Sequence, residues 1–305
     1  MKTIALYTTI YPGVESFLRD WYRSVLEQTD QDYPLWIGLD SIGVEAVKDA
    51  MGADPKATWV ASASGDTPAQ IRQQALAQIV ERYDGVVLVD SDDVLHPSRV
   101  ASARAALQTS DLAGCALRLV DQNGRDLGMT FGLPLQARPE DVLPRNNVFG
   151  FSNSAFRSDL LRRCLPIPHA AVLVDWYLAT KAWVYEARLA FDAAVRMDYR
   201  QHSANMARVR PPFSRQQILQ DTERVRHHFQ LLRVAPPVGG NSDRLAAIEQ
   251  VAVDIELFFQ DVVLQPTKLD QYVEAINRLI PAPLWWSCVA HPMLRHMWTS
   301  ARSRS

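Results

Sequence analysis

The stretch that most constrains the fold of this chain is DGVVLVDSDDVLHP, at residues 84–97. Its four consecutive apolar residues, 86–89, predict a strand buried on both faces, as in a parallel sheet. Three carboxylates follow at Asp90, Asp92 and Asp93, and carboxylates this close together repel one another. A solvated turn before a helix would need only one aspartate. Because α/β proteins bind ligands at the carboxyl ends of their strands, the cluster predicts a site for a divalent cation.

Strand and helix patterns alternate through the first hundred residues. Apolar runs at 2–9, 34–40 and 58–61 predict strands, and apolar residues at helical spacing lie between them. Thr67, followed by Pro68 and Gln70, is typical of a helix start with a capping box. We therefore predict an open, doubly wound sheet whose functional edge collects polar side chains. These side chains are Thr8, Thr9, Asp40, Arg72 and the three aspartates.

The pattern changes after residue 111. Two apolar runs on either side of Asn123-Gly124 predict a β-hairpin, so an antiparallel element joins the sheet. Residues 145–157 mix polar and aromatic side chains, which suits the wall of a pocket for a sugar-like ligand, although ordinary loops share this composition. A helix is predicted over 172–184, with Asp175 as its only acidic residue. Two strands, at 187–192 and 194–201, are predicted to follow, with His202 just after the second.

The last third of the chain predicts a helical region over residues 211–305. Apolar stripes indicate three helices, and a short Trp-rich fourth is predicted over 281–298. No carboxylates converge here, so we expect this region to organise the protein rather than to perform chemistry. We expect the helices of this region to pack on the first domain. The alternative is that the tail, which places tryptophans beside arginines, contacts a membrane interface or a partner, including a second copy. The residues concerned are Trp285, Trp286, Met293, Arg295, Trp298, Arg302 and Arg304.

Composition excludes several classes of protein. A net charge of −2 and a pI near 6.4 provide no basic field for nucleic acid. The three cysteines are far apart and lack metal-binding spacing, which indicates reduced thiols and the cytoplasm. The N-terminus has no signal-peptide core, and no apolar run reaches the length of a transmembrane helix. We therefore expect a cytoplasmic protein, which the C-terminal tail could bring to the inner face of the membrane.

Several motifs, taken in order, resemble the family-2 glycosyltransferases with the GT-A fold over residues 2–210. VLVDSDD at 87–93 resembles the metal-binding D-x-D motif, and IRQQA at 71–75 resembles the A-R-N helix start. VDWYL at 174–178 resembles the E-D-x-x-L motif that holds the catalytic base, and YRQHSAN at 199–205 resembles the family's Y-R-x-H segment. The chain departs from the family pattern at two positions: Val174 replaces the usual acidic neighbour of the base, and Gln73 replaces the asparagine of the A-R-N motif. The metal and base positions remain filled.

The resemblance implies a GT-A-type doubly wound mixed sheet with a helical C-terminal appendage. Residues 1–210 would form the catalytic domain, with a Rossmann-like nucleotide-sugar half at 1–100 and an acceptor-side half at 101–210. A sugar would pass with inversion from a nucleotide sugar, with a UDP-sugar as first choice, to a saccharide acceptor. Asp175 would be the general base, and Mn²⁺ or Mg²⁺ would be held by Asp90, Asp92 and His202. The donor would contact Thr8, Thr9, Asp40, Arg72, Asp90, Ser91 and Arg200.

Two alternatives come from other classes. DSDDVL also resembles the D-x-D-x-[TV]-[LV] motif of haloacid-dehalogenase-like phosphatases, in which Asp90 would be the nucleophile and Asp92 the acid/base. That family places the motif on its first strand and needs a downstream lysine, for which Lys181 is the nearest candidate. The other alternative is a protein that binds a nucleotide sugar without turnover. A nucleotidyltransferase fits less well, because the turn after the first strand lacks a Gly-rich basic loop.

Overall fold

In the computed structural model, which describes residues 3–202 and 205–299, the chain forms a mixed α/β structure. Its first part alternates strands and helices, as the sequence predicts. The elements are β1 (Ile4–Ile10), α1 (Glu15–Leu26), β2 (Leu35–Leu39), α2 (Val44–Met51), β3 (Ala57–Ala61), α3 (Pro68–Arg82) and β4 (Gly85–Leu88). These strands pair in parallel in the order β3-β2-β1-β4, so their carboxyl ends meet at one edge.

The start of α3 confirms the predicted capping box. The Thr67 hydroxyl accepts a hydrogen bond from the backbone N–H of Gln70, and the Gln70 side chain accepts one from the backbone N–H of Thr67. Pro68 occupies the first helical turn, where its missing N–H has no cost. These contacts fix where α3 begins, and therefore place Arg72, in its first turns, beside the strand ends.

The second half of the sheet is antiparallel at several positions. Its elements are β5 (Val94–Leu95), α4 (Arg99–Ala106), β6 (Leu112–Asp121), β7 (Asp126–Phe131), α5 (Pro139–Val142), β8 (Ser154–Arg157), α6 (Ser158–Cys164), α7 (Val174–Val184) and β9 (Leu189–Gln201). Over the described residues the sheet has nine strands, in the order β3-β2-β1-β4-β8-β6-β9-β5, and β7 pairs with β6. The predicted hairpin is confirmed, and Gly124 at its turn has a φ of 79°.

One prediction for this half is wrong: the two strands expected at 187–192 and 194–201 form the single strand β9. The pairing with β6 runs through Cys115 and Asp192, shifts, and resumes at Ala116 and Val195. The two alanines between Asp192 and Val195 form a bulge, and the Asp192 carboxylate accepts a hydrogen bond from the second of them, Ala194. A bulge interrupts the sequence pattern without ending the strand.

The C-terminal region is helical. It contains α8 (Arg215–Val234), α9 (Ser242–Phe258) with a π-helical turn (Phe259–Val263), α10 (Pro266–Leu279), a 3₁₀ turn (Pro292–Leu294) and α11 (His296–Thr299). The fourth helix predicted over 281–298 does not form as one helix, and only the 3₁₀ turn and most of the short α11 lie in this range. Three prolines interrupt this stretch, and Ile280, Trp286 and Ala290 have φ values of 48°, 67° and 43°, which no α-helix contains.

The C-terminal helices share a core with the sheet domain. Trp176 of α7 stacks on His228 of α8 at 4.3 Å and contacts Phe229, and all three are buried. The tail tryptophans Trp285, Trp286 and Trp298 are also buried, so they are not available as membrane-facing rings. Arg302 and Arg304 lie outside the described residues. No helix in the described part of the chain is both long enough and apolar enough to cross a membrane.

Candidate active site

One cavity of about 720 Å³ lies at the carboxyl edge of the parallel strands. Thr9, Asp40 and Asp90 enter it just after or at the ends of β1, β2 and β4, Arg72 enters from α3, and Asp175 enters from the start of α7. The topology therefore brings together polar groups that are up to 166 positions apart in the chain. Asp40 is not a helix cap, because the N-cap of α2 is Gly43.

Asp90 and Asp92 line the cavity next to each other. The Ser152 hydroxyl donates a 2.7 Å hydrogen bond to Asp90 Oδ2. Asp92 Oδ2 lies 2.9 Å from His202 Nε2 and 3.4 Å from the Tyr11 hydroxyl. Both carboxylates are therefore oriented by neutral or basic donors from other segments.

Asp93 is buried behind this pair. Its Oδ1 accepts a 2.8 Å hydrogen bond from the backbone N–H of Arg200, whereas its Oδ2 has no hydrogen-bond partner among the described residues. Burial is the main cause that raises the pKa of Asp90, to about 7, and the pKa of Asp93, well above its ordinary value. Repulsion from Asp92 is the second cause for both groups. An acidic cluster that resists full ionisation is suited to a cation that would supply the missing positive charge.

The predicted metal ligands are not arranged as a ready-made site. Among the described residues, no three His, Cys, Asp or Glu side chains form a group that could hold a metal ion. His202 is instead hydrogen-bonded directly to Asp92. A metal at this edge would therefore need ligands beyond these side chains.

Arg72 is the cation of the cavity. Its guanidinium lies 4.2 Å above the Phe151 ring, its Nε is buried without a hydrogen-bond partner, and it forms no ion pair within the described chain. Its charge lowers the pKa values of Asp90 and Asp175, which burial raises more strongly. A half-buried guanidinium that forms no ion pair among the described residues is a binding group for an anionic ligand.

Asp175 lies in the first turn of α7, with its carboxylate held at both oxygens. Oδ1 accepts a 2.8 Å hydrogen bond from the backbone N–H of Trp176, and Oδ2 accepts a 3.0 Å bond from Asn147 Nδ2. Burial raises its pKa to about 6, even though these hydrogen bonds and Arg72 lower it. A carboxylate with such a pKa can exchange protons near neutral pH.

Three residues predicted to contact the donor do not line the cavity. Thr8 is buried and faces the side of β1 opposite to Thr9, which lines the cavity. The Ser91 hydroxyl donates to the backbone carbonyl of Thr9 at 3.0 Å. Arg200 is buried, and its guanidinium donates to the carbonyls of Asp92 and Gln122 at 2.8 and 2.9 Å. Ser91 and Arg200 therefore support the loop that carries the aspartates.

Sequence reasoning missed several residues that shape the cavity. Asn147 and Ser152 lie in the stretch predicted as a pocket wall, but their partners Asp175 and Asp90 come from other elements. Trp285 and Trp286, from the C-terminal region, also line the cavity. A Cβ at Gly150 would lie 2.5 Å from the Trp285 ring, so the glycine permits this contact. Two adjacent tryptophans between prolines were the available signal.

Comparison with known proteins defines the fold. No protein-family model matches the chain, and no curated protein matches its sequence. The structure is similar to that of S. aureus TarS (residues 1–349) in complex with UDP-GlcNAc, with 16% identity and a TM-score of 0.53, covering 91% of this chain and 92% of that one.

It is also similar to the mannosyltransferase PcManGT from Pyrobaculum calidifontis in complex with GDP-Man and Mn²⁺. The identity is 14% and the TM-score is 0.56, over 98% of this chain and 82% of that one. At such low identity the similarity concerns the fold. The chain therefore has the GT-A type of mixed α/β fold that the sequence predicts.

Proposed function

We propose that this protein is a glycosyltransferase that moves a sugar from a nucleotide sugar to an acceptor hydroxyl. The observation that carries the proposal is the cavity in which Arg72, which forms no ion pair among the described residues, meets Asp90, Asp92 and Asp175. The neighbours support it, since TarS is recorded with UDP-GlcNAc and PcManGT with GDP-Man.

The proposed donor end lies at Asp40, Arg72, Asp90 and Asp92. Arg72 would pair with the diphosphate, since it carries the charge and forms no ion pair among the described residues. Asp90 and Asp92 would hold Mn²⁺ or Mg²⁺, and His202 would orient Asp92 through their 2.9 Å contact. These ions are bound by one or two carboxylates together with substrate phosphates, which fits the incomplete protein ligand set. The metal would neutralise charge on the departing nucleoside diphosphate.

The proposed base is Asp175. The acceptor hydroxyl must lose a proton as its oxygen attacks the anomeric carbon, and Asp175 would take that proton at the oxygen not held by the backbone of Trp176. One displacement inverts the configuration at that carbon. Its raised pKa suits a base that works near neutral pH.

The phosphatase alternative has less support from the geometry. Its candidate lysine, Lys181, is buried in α7 and does not line the cavity that contains Asp90. The aspartate motif also follows the fourth strand, whereas the phosphatases place it after the first.

The test is a thermal-shift panel of UDP, GDP, CDP and dTDP, each with and without Mn²⁺. A ligand that binds only the native state stabilises it by about 2.7 kcal/mol at a hundredfold excess over its Kd. We expect one nucleotide to raise the Tm in a Mn²⁺-dependent manner, and Asp92→Asn to remove the Mn²⁺ dependence while the protein stays folded. Stabilisation by none of the nucleotides would contradict the proposal, and binding without turnover would favour the non-catalytic alternative.

A further inference from the structure

We infer that the protein has a second binding site, which takes a ligand that carries both a phosphate and several hydroxyl groups. The site is a cavity of about 850 Å³, called the second cavity below, lined by the hairpin turn at 121–123 and the first turns of α8. Residues 205–207 line both this cavity and the one that contains Asp175, so the two lie side by side. The inference goes beyond the proposed function, because binding here does not require sugar transfer.

Positive charge predominates in the second cavity. Arg208 and Arg210 line it, and neither forms an ion pair within the described part of the chain. The two acidic residues of the described lining are already engaged: Asp221 pairs with Arg224 at 2.9 Å, and Asp121 Oδ1 accepts two backbone hydrogen bonds within its own turn. The first turn of α8 adds the positive end of a 20-residue helix. Two guanidiniums therefore remain for an anion, and their planar donor pairs suit a phosphate.

The rest of the lining consists mainly of amide side chains. An amide both donates and accepts hydrogen bonds, which matches the needs of a hydroxyl group. None of the described lining residues is Phe, Tyr or Trp, so the cavity offers no large ring on which a nucleobase would stack. These features favour a sugar phosphate or polyol phosphate over a nucleotide. The glutamines of the lining are Gln122, Gln201, Gln216, Gln217 and Gln220.

The second cavity is distinct from the proposed donor end. Arg72, which is assigned to the diphosphate, lines only the first cavity, whereas Arg208 and Arg210 line only the second. The segment that both cavities share is held by α8, because Arg224 Nη1 donates a 3.1 Å hydrogen bond to the carbonyl of Met206. A phosphate bound by Arg208 and Arg210 therefore does not occupy the place proposed for the nucleotide.

The test measures the binding of glucose 6-phosphate to the full chain by isothermal titration calorimetry, without metal or nucleotide. Glucose lacks the phosphate and inorganic phosphate lacks the hydroxyl groups, so both serve as control ligands. The variants are Arg208→Gln, Arg210→Gln and the double variant, which remove charge and keep a polar side chain. Arg215→Gln is the matched control, because Arg215 pairs with Asp270 and does not line the cavity.

We expect glucose 6-phosphate to bind more tightly than either control ligand, and each single variant to raise its Kd by about tenfold, as for one lost charged hydrogen bond. Arg215→Gln and Arg72→Gln should leave this Kd within about twofold, because salt screens charges that do not contact the ligand. No binding, an equal affinity for either control ligand, or an equal loss in Arg215→Gln would overturn the inference. A loss in Arg72→Gln that the folded double variant does not show would also overturn it.

A second arm distinguishes two sources of the phosphate. UDP-GlcNAc or GDP-mannose is added with Mn²⁺, and the glucose 6-phosphate is then analysed by mass spectrometry. Sugar transfer onto it supports a second cavity that holds the phosphate of an acceptor, and binding without transfer supports a site for a separate phosphorylated ligand. Because calorimetry detects binding directly, the second site can fail while Mn²⁺-dependent nucleotide binding persists, and the proposed function can fail while the second site persists.

Discussion

At the scale of single residues, Asp175 could serve as a base or only as a helix-terminal acceptor. Its hydrogen bond with the Trp176 backbone supports the second role, and its burial in the cavity supports the first. The two roles differ in how they depend on charge. A base must be ionised to work, whereas a buried charge without an ion pair lowers the stability of the fold.

We predict that Asp175→Asn will cut turnover by about two to four orders of magnitude. The same change should alter stability in a pH-dependent way. The native pKa of about 6 exceeds the ordinary 3.8, so the stability that protonated Asp175 contributes is present below pH 3.8 and lost as the pH rises through 6. Relative to the wild type, the free energy of unfolding of the variant should therefore rise by up to about 3 kcal/mol between pH 4 and pH 8.

Urea denaturation at several pH values, with both proteins measured side by side, checks this prediction. Any hydrogen bond that the Asn variant loses is lost at every pH. The pH dependence of the difference in unfolding free energy between the two proteins therefore reports the charge of Asp175. If the unfolding free energies of the two proteins differed by the same amount at every pH, the pKa of Asp175 would not be raised. Near-normal turnover of a verified acceptor would remove Asp175 from the role of base.

Asn147 is a positioning residue for Asp175. It is fully buried, donates to Asp175 Oδ2, and accepts a 2.9 Å hydrogen bond from the backbone N–H of Phe149. Because a donor favours the ionised carboxylate, we predict that Asn147→Leu will raise the pKa of Asp175 and move the acid limb of the kcat profile to higher pH.

The matched control is Ser154→Ala, which removes the 2.7 Å bond to the Gly150 carbonyl in the same loop. The control should lower the Tm without moving the acid limb; an equal movement in both variants would indicate general loosening of the loop.

At the scale of secondary-structure elements, the loop between α5 and β8 connects the two ends of the site. Asn147 holds Asp175, and Ser152 holds Asp90. The loop is in turn held by α9, because Arg145 pairs with the buried Asp254, which also accepts hydrogen bonds from Arg295 and Trp298 at 3.0 Å. Although burial opposes ionisation, the bonds from Trp298 and Arg145 keep the pKa of Asp254 below its ordinary value.

We predict that Asp254→Asn will destabilise the protein by about 3 kcal/mol, since breaking a buried pair leaves charge uncompensated. The lowered pKa means that this contribution is present above the unfolded pKa and disappears as the pH falls through the native one, so the difference from wild type should shrink in acid. Turnover should fall at temperatures where the variant is folded, because Asn147 and Trp285 lose their support. The control is Glu256→Gln, on the same helix as Asp254, which removes a more exposed ion pair with Arg226 of α8 and should cost at most about 1 kcal/mol. Equal effects of the two changes on turnover would contradict a specific clamp.

The elements that the sequence predicted well are those that local chemistry defines. The capping box at Thr67, the hairpin turn at Gly124 and the apolar strand before Asp90 are each specified by neighbouring residues. The failures involve partners far away in the chain. β9 remains one strand because β6 pairs with it on both sides of the bulge, and residues 281–298 adopt a conformation that their packing against Phe131 and Tyr199 imposes.

The same distinction holds for the candidate site. Asp90, Asp92 and Arg72 reach one cavity because the strand order brings them to one edge, as the alternating pattern predicted. Asp175 reaches the same cavity from α7, where only the family resemblance had placed it. Thr8, Ser91 and Arg200 lie next to lining residues but turn away from the cavity. Only the three-dimensional arrangement shows which of two adjacent polar residues faces a ligand.

At the scale of the whole molecule, the C-terminal region contributes to the site as well as to the core. From the sequence we expected this region to organise the protein rather than to perform chemistry, so that truncation after Arg210 would disturb solubility, oligomeric state or membrane association rather than donor binding. In the structure, α8 covers Trp176, and Trp285 and Trp286 line the cavity. Removal of residues 211–305 would expose these buried surfaces and open one wall of the site.

We therefore predict that the fragment 1–210 will not retain nucleotide binding, and that the full-length chain will unfold in a single cooperative transition. The physical reason is the shared core: aromatic side chains of α7 and α8 are buried against each other, and such burial contributes several kcal/mol that neither part supplies alone. Calorimetry of the full chain, with van't Hoff and calorimetric enthalpies compared, measures the cooperativity. Deletion of residues 300–305 alone is the control and should change neither the transition nor binding. A fragment 1–210 that folds, binds nucleotide with Mn²⁺ and melts cooperatively would show that the sheet domain carries the donor site by itself, and would confine the C-terminal region to the acceptor end.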